Sequence, residues 1–226
     1  WFYTKLFWDG RSSSLEDQAF APINSESEMH HEMPELIRQL RKINGYSVLF
    51  KKAFGSPAIN PHNLTEAIAT FERTIVSNKS RFDNFLEGKR NALSNSELKG
   101  LHLFRTKARC MNCHNGPLFT DNQFHNIGFS QNDNGYYQVT HKDEDIGKFK
   151  TPSLRDVMKT GPWMHNGEST SMKEIIEKLN STDVITNNNP LLKPLNLSKK
   201  EKNDLLAFLN AISAPPVEFK KPVLPE

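Results

Sequence analysis

The run CMNCH places Cys110, Cys113 and His114 within one short stretch of the chain. Cys-x-x-Cys-His is the spacing at which two thiols attach haem c covalently and the following histidine ligates the iron. Two thioether bonds hold the porphyrin edge over a single turn of backbone, with an imidazole beneath the metal. A chain with this run must therefore fold around a large, flat and mostly apolar group.

The two cysteines also have other interpretations, namely a redox dithiol, a histidine-assisted metal site or a chance spacing. A zinc site usually takes four ligands, and these are the only 2 cysteines in 226 residues. A thioredoxin-like dithiol opens a helix within a strand-helix-strand pattern, and no such pattern precedes Cys110. The motif favours haem c and leaves the alternatives open.

Length and charge exclude some classes of protein. A chain of 226 residues can form one large or two small domains with a buried core. Its formal net charge is only +3, and basic residues alternate with acidic ones without a basic stripe, which argues against nucleic acid as a partner. No segment has the roughly 18 consecutive apolar residues that a membrane span needs, and no secretory signal pattern opens the chain.

Apolar periodicity and capping signals predict a helical chain. One helix is expected over 34–43 and another over 60–76, with an apolar stripe formed by Leu64, Ala67, Ile68, Phe71 and Ile75. Three Ser-x-x-Glu runs predict further helix starts, and the first of these helices leads into Cys110. The runs are Ser94 to Glu97, Ser171 to Glu174 and Ser198 to Glu201.

Residues 115–150 are rich in Asn, Asp and Gly and predict a long loop wrapped around another group. A haem could supply its core, although each phenylalanine of the loop could equally be an ordinary core residue. The candidates are Phe119, Phe124, Phe129 and Phe149. The proline-rich tail from Pro215 should be an extended strap.

Seven sequence blocks resemble, in order and across nearly the whole chain, the bacterial dihaem cytochrome c peroxidases and their MauG-type relatives. The blocks are WDGR at 8–11, SLEDQ at 14–18, AIA-x-FERT at 67–74, CMNCH at 110–114, FHNIG at 124–128, KTPSLR at 150–155 and P-x-x-HNG at 162–167. The resemblance implies an all-α fold, with a cytochrome c-like haem domain over 93–226. It also implies that 1–92 is the helical remainder of an N-terminal haem domain.

The resemblance implies roles for several residues. His114 would be the proximal ligand of the electron-transfer haem, and Trp8 would lie between the two haems of the family. Gln18 and Glu28 would line the peroxide side of the other haem, with Glu28 as the general acid-base group, a role that suits a buried carboxyl of raised pKa. Electrons would come from cytochrome c or a cupredoxin, and hydrogen peroxide would be reduced to water.

The chain departs from the family pattern in three respects. It has one haem motif instead of two and opens on Trp1, so we expect it to be part of a longer protein that carries a second haem. The sixth iron ligand of the family, a methionine or tyrosine, falls on Leu179, which leaves an open position or ligation by Met164 or Met172. Thr160 and Pro162 match two calcium ligands, but the third falls before Trp1.

The leading hypothesis is the electron-entry part of a dihaem peroxidase. Covalent haem c is attached outside the cytoplasmic membrane in bacteria, so the expected compartment is the periplasm. The alternatives are a MauG-type haem oxidase that modifies another substrate and a non-catalytic monohaem electron carrier. The oligomeric state is open, with a homodimer as one candidate.

Overall fold

A computed structural model describes residues 3–129, 132–181 and 193–226. The chain forms two compact units, which we call the first and the second unit. The first unit consists of Trp1–Phe7, Arg11–Val76 and Glu218–Glu226, and the second of Trp8–Gly10 and Ser77–Val217. The units thus divide after Val76, whereas the sequence placed the domain boundary after residue 92.

The described structure is mainly helical, which confirms the expected all-α class. The first unit contains α1 (Leu15–Asn24), α2 (Met33–Lys42), α3 (Asn44–Phe54) and α4 (Pro61–Thr74). The second unit contains α5 (Arg81–Leu86), α6 (Asn95–Arg105), α7 (Tyr137–Thr140), α8 (Met172–Asn180) and α9 (Lys199–Ala211). Its short strands β1 (Phe124–His125) and β2 (Phe149–Lys150) pair antiparallel.

Local capping explains where the helices of the first unit begin. The Asn60 side chain accepts a hydrogen bond from the Asn63 N–H at 2.9 Å, and Pro61 occupies the first turn of α4. The predicted stripe on this helix is only partly correct. Phe71 is 46% exposed, and Ile75 is 68% exposed because α4 ends at Thr74 and Ile75 adopts an extended conformation.

Two of the three predicted capping boxes form in the second unit, at the starts of α6 and α9. The third does not form. Ser171 makes no side-chain cap bond to α8, and the Glu174 carboxylate instead lies 3.6 Å from the Lys178 ammonium, one turn along the helix. A box that the sequence reading missed begins α5, where Ser80 and Asp83 cap each other.

Close packing of α6 against α9 forms the centre of the second unit. Phe104 and Phe208 are almost fully buried, and their ring centroids lie 5.2 Å apart. Gly100 allows the two helices to approach, since a Cβ atom there would lie 2.0 Å from the Asp204 carbonyl oxygen. Leu205, Leu209 and Ile212 of the α9 region complete the same core.

Contacts of α5 explain why the second unit begins at Ser77. The Phe82 ring packs against the rings of Phe119 and Phe208, with centroids 5.6 and 5.5 Å apart. The Arg155 guanidinium donates to the Asp83 carboxylate at 2.7 Å. These side chains belong to the core around the CMNCH turn, so the polypeptide joins that core before residue 92.

None of the helices in the described parts of the chain is long and apolar enough to cross a membrane.

The approach of α6 to α9 leads to a prediction for Gly100→Ala. An alanine normally stabilises a helix interior by about 0.5–1 kcal/mol relative to glycine. Here the added methyl group would overlap the Asp204 carbonyl, so we expect the sign to reverse and the free energy of unfolding to fall by at least 1 kcal/mol. Denaturant unfolding of both proteins measures this. Lys99→Ala, at the neighbouring exposed position, is the control and should change the free energy of unfolding by less than about 0.5 kcal/mol. A Gly100→Ala protein that is more stable than the wild type would contradict the close packing of α6 against α9.

Asp83 gives a second prediction. Burial raises the pKa of its carboxyl, but hydrogen bonds from Arg155 and Ser80 outweigh this and hold the pKa at about 2. The stabilisation is therefore present above the ordinary pKa near 4 and is lost as pH falls towards about 2.

We expect Asp83→Asn to lower the free energy of unfolding by about 2 kcal/mol at pH 7 and by clearly less at pH 3. Urea titrations at the two pH values provide the measurement. Asp143→Asn, at an exposed position of the same unit, is the control and should change it by less than about 0.5 kcal/mol at either pH. An equal loss at both pH values would mean that the ion pair contributes nothing to stability.

Candidate functional site

The CMNCH run forms a tight turn directly after α6. The helix ends at Arg105, and the Ala108 N–H then donates to the Leu103 carbonyl at 2.9 Å. Residues Cys110–Asn112 form one 3-10 turn, and the His114 N–H donates to the Cys110 carbonyl at 2.8 Å. The turn gives the two thiols and the imidazole one common, rigid support, as the motif requires.

A main-chain carbonyl holds one ring nitrogen of the His114 imidazole. Its Nδ1 lies 3.0 Å from the Phe119 carbonyl oxygen, to which an Nδ1–H donates. This bond fixes the tautomer in which Nε2 carries the free lone pair, as is typical of histidines that bind metals. Burial lowers the pKa of His114, with the bond to Phe119 acting in the opposite direction, so the neutral form is favoured.

The two cysteines do not have the character of a reactive dithiol. Both are free thiols. Burial raises the pKa of the Cys110 thiol to about 12, whereas the nucleophilic cysteine of a dithiol oxidoreductase has a lowered pKa. Cys110 packs against the hydrophobic core of the second unit, and Cys113 faces the cleft beside His114.

The cleft of the second unit has about 520 Å³ of empty space, counted out to its open mouth. Cys113 and His114 lie on its wall. Much of the remaining wall is apolar and consists of Trp8, Ile127, Phe129, Phe149, Pro152 and Met164. Two free thiols, an imidazole and an apolar cleft are the donor set and the surroundings that a covalently bound haem requires. The residues present thus fit the group that the motif predicts.

The loop 115–150 builds one side of this cleft, and hydrogen bonds to main-chain carbonyls hold it. The Asp121 N–H donates to the Cys113 carbonyl at 2.8 Å, and the Thr120 hydroxyl donates to the Thr151 carbonyl at 2.7 Å. Of the four phenylalanines expected in the cleft, Phe129 and Phe149 line it. Phe119 instead lies in the hydrophobic core.

Phe124 is likewise absent from the cleft wall. Its ring stacks on Tyr136 with centroids 3.8 Å apart and fills the space above Gly10, where a Cβ atom would lie 2.4 Å from the ring. For Phe119 and Phe124 the alternative of ordinary packing within the protein therefore holds, because aromatic partners inside the unit contact both rings.

A polar cluster at the cleft wall was not identified from the sequence as a site. The His125 Nε2 lies 2.7 Å from an Asp121 carboxylate oxygen, and Cys113 completes the group. Among the described residues it is the one group of three side chains spaced to hold a metal ion. Hydrogen bonds to Cys113 and Asp121 raise the pKa of His125 to about 9. A thioether at Cys113 would remove the first of these partners and leave the Asp121 pair.

His165 is a second polar side chain on the cleft wall whose role the sequence reading left undefined. Its side chain is 7% exposed, and its Nε2 lies 3.7 Å from an Asp133 carboxylate oxygen. The imidazole stacks on the Phe149 ring with centroids 3.9 Å apart and planes inclined by 19°. Nearby, burial lowers the pKa of the Lys150 amine, which also lines the cleft.

Trp8 belongs to the second unit and lies on the wall of the same cleft. Its carbonyl oxygen accepts a hydrogen bond from the Lys150 N–H of β2 at 2.8 Å, and its side chain is 37% exposed. The sequence separates Trp8 from Cys113 by about a hundred residues, so the fold brings them to one site.

Gln18 and Glu28 belong to the first unit. Gln18 is half-buried in α1, where its N–H donates to the Ser14 carbonyl at 2.9 Å. Glu28 is exposed on the turn after α1, and its N–H donates to the Ser25 carbonyl at 3.1 Å. The burial expected for Glu28 is not found, because this turn lies on the surface of the first unit.

The candidate ligands on the far side of the iron are separated by the fold. Met164 lines the cleft, whereas Met172 is 8% exposed and lies in the hydrophobic core. Leu179 also packs against that core. Thr160 and Pro162, the expected calcium ligands, are exposed on the turn that follows Val157–Lys159.

Known proteins resemble this chain over nearly its whole length. Residues 1–91 match the family model described as di-haem cytochrome c peroxidase. The chain is 37% identical over 226 residues to the methylamine utilization protein MauG of Methylophilus methylotrophus, covering 98% of this chain and 68% of that protein. It is 35% identical over 260 aligned residues to the cytochrome-c peroxidase IdrP1 of Pseudomonas sp. (strain SCT), covering 99% and 69%.

The fold is similar to that of a MauG-like protein associated with microbial copper homeostasis. The crystal structure of that protein matches with a TM-score of 0.84 at 26% identity, covering 94% of this chain and 72% of that one. Sequence similarity and fold therefore agree over nearly the whole chain.

The site predicts covalent modification at Cys110 and Cys113. Expressed in a host with a c-type haem attachment system, the polypeptide should have a mass larger by one haem, and the denatured protein should keep its haem spectrum. Cys110→Ser/Cys113→Ser should have the mass of the unmodified chain, because it lacks both sulfurs. A wild-type protein of unmodified mass from such a host would contradict the assignment.

Proposed function

The chain belongs to the family of dihaem cytochrome c peroxidases and MauG proteins, and we propose on that premise that it is the electron-entry part of a dihaem peroxidase. It would accept electrons from a small redox protein, cytochrome c or a cupredoxin, and pass them towards a second haem at which hydrogen peroxide is reduced to water. That second haem belongs to the full-length protein, and the compartment would be the periplasm, where covalent haem c is attached.

The geometry of His114 carries this proposal. The imidazole donates through Nδ1 to the Phe119 carbonyl, which leaves the lone pair on Nε2, and it lies on the same turn as Cys110 and Cys113. A haem bound there would supply a reversible one-electron centre. The Phe119 carbonyl holds the imidazole in one orientation, and this acceptor makes the imidazole a stronger electron donor to its metal.

The cleft residues contribute by excluding water and by positioning. Phe129, Phe149 and Met164 provide an apolar wall, which keeps the surroundings of the redox centre at low polarity. The bond between the Lys150 N–H and the Trp8 carbonyl holds the tryptophan backbone beside this wall. Its place on the wall supports a role for Trp8 as the aromatic group between the electron-entry haem and the second haem.

In the first unit we propose that Glu28 moves a proton between the two peroxide oxygens while Gln18 orients the peroxide. A carboxylate suits the proton transfer because it can accept and return one proton within hydrogen-bond distance. The exposure of Glu28 leaves its carboxylate accessible to a bound small molecule. A calcium ion at Thr160 and Pro162 and a homodimer stay predictions from the family pattern.

A MauG-type oxidase is the second candidate, and the 37% identity to a MauG protein favours it. Such a protein would oxidise an organic or protein substrate in place of using cytochrome electrons to remove peroxide. A monohaem electron carrier is the third candidate, since the chain contains a single Cys-x-x-Cys-His run.

Peroxide-dependent oxidation of reduced cytochrome c separates these functions. The full-length protein with both haems should oxidise reduced cytochrome c rapidly when hydrogen peroxide is present and not when it is absent. Electron uptake without peroxide turnover would favour the carrier or the oxidase and overturn the peroxidase proposal.

Glu28→Gln tests the proton-transfer role within the same assay. We expect peroxide turnover to fall by about 10²–10⁴-fold, because the amide cannot accept and return a proton. The first reduction of the haem at His114 by cytochrome c should be unchanged. Glu26→Gln, at an exposed position of the same turn, is the matched control and should retain turnover. Equal turnover in the two variants would exclude Glu28 as the acid-base group.

A further inference from the structure

The position that supplies the sixth iron ligand in the family is Leu179, and its hydrocarbon side chain cannot bind a metal. In this protein it packs on the hydrophobic core of the second unit. Met172 is not a substitute. It begins α8, is 8% exposed and lies in the same core with Ile176, and it is absent from the cleft wall. Neither Leu179 nor Met172 therefore offers a donor atom to a group bound in the cleft.

Met164 is placed differently. It lines the cleft that also contains His114 and Cys113, in which a haem would be held. A thioether sulfur is a soft ligand and is a common partner of histidine on the iron of c-type cytochromes. Met164 is thus the methionine on the described cleft wall with access to the bound group.

The backbone around Met164 is held in an unusual conformation. Its φ of 71° lies in the left-handed region, which a side chain of this size seldom adopts and which costs about 1–3 kcal/mol. Bonds on both sides maintain it. The Gly167 N–H donates to the Met164 carbonyl at 3.1 Å, and the Trp163 N–H donates to the Ser169 carbonyl at 2.8 Å. The Trp163 indole N–H also donates to the Val157 carbonyl at 2.7 Å.

The two other imidazoles of the cleft wall have partners of their own. His165 stacks on Phe149 and faces Asp133, and His125 is hydrogen-bonded to Asp121. For either ring to bind the iron through Nε2, it would have to leave the carboxylate that this nitrogen faces. Within the described parts of the chain, the Met164 side chain makes no hydrogen bond that it would have to lose.

Resting on the proposed function, we propose that Met164 supplies the sixth ligand of the haem iron held by Cys110, Cys113 and His114. The ligand thus comes from the turn before α8, fifteen residues ahead of the family position at 179. A histidine and methionine pair would give the iron a higher reduction potential than histidine alone and would close it to small molecules. Both effects suit a centre that takes electrons in and does not bind peroxide.

Met164→Leu tests the proposal in the haem-loaded chain, with Met172→Leu as the matched control. Leucine keeps the volume of the side chain and removes only the sulfur. The oxidised wild type should show the near-infrared charge-transfer band of a sulfur-ligated iron, and the reduced wild type should not bind carbon monoxide. Met164→Leu should lose that band, bind carbon monoxide in the reduced state and have a lower reduction potential. Met172→Leu should keep the band, although its thermal stability falls.

Two results would overturn the proposal, namely a wild type that lacks the band and a Met164→Leu protein that retains it. Circular dichroism melts show whether each variant is folded. The proposed function fails separately: a chain without covalent haem, or one that takes no electron from reduced cytochrome c, would refute electron entry whatever the ligand. A haem that accepts electrons but shows no dependence on Met164 would refute only the ligand.

Discussion

The packing of α6 against α9 is the constraint on which the candidate site depends. Gly100 permits the close approach of the two helices, and Phe104 and Phe208 fill the space that remains between them. Because α6 leads directly into the CMNCH turn, the position of this helix fixes where Cys113 and His114 lie. The same core receives the Phe119 ring, and the Phe119 carbonyl orients the His114 imidazole. Core packing and metal-ligand orientation are therefore coupled through one residue.

The long loop of the second unit shows how a segment with little regular structure can still form a defined wall. Hydrogen bonds such as those from the Asp121 N–H to the Cys113 carbonyl and from the Thr120 hydroxyl to the Thr151 carbonyl fix its path. Its apolar residues divide into two groups, of which one joins the protein core and the other faces the cleft. A bound haem would cover the second group, which accounts for an apolar wall on an open cleft.

The cleft also contains polar side chains with different tasks. His114 donates through Nδ1 to a carbonyl, whereas the Nε2 atoms of His125 and His165 face carboxylates. This difference in hydrogen bonding distinguishes one imidazole as a ligand among three on the same wall. Met164 is the thioether donor on this wall. Membership of the family indicates haem chemistry, and the hydrogen bonds indicate which side chains are available to bind the iron.

The sequence alone determined the haem motif, the all-α class, the family and two of the three predicted capping boxes. These features depend on residues a few positions apart, where spacing dictates geometry directly, or on blocks long enough to identify a family. Only the tertiary structure decided which phenylalanines face the cleft, that Trp8 and Cys113 line the same cleft, that Met164 and not Met172 lines it too, and that Glu28 is exposed. Sequence periodicity says that a side chain is apolar or polar, but its neighbours across the fold are set by helix packing and by the path of a loop that has no period.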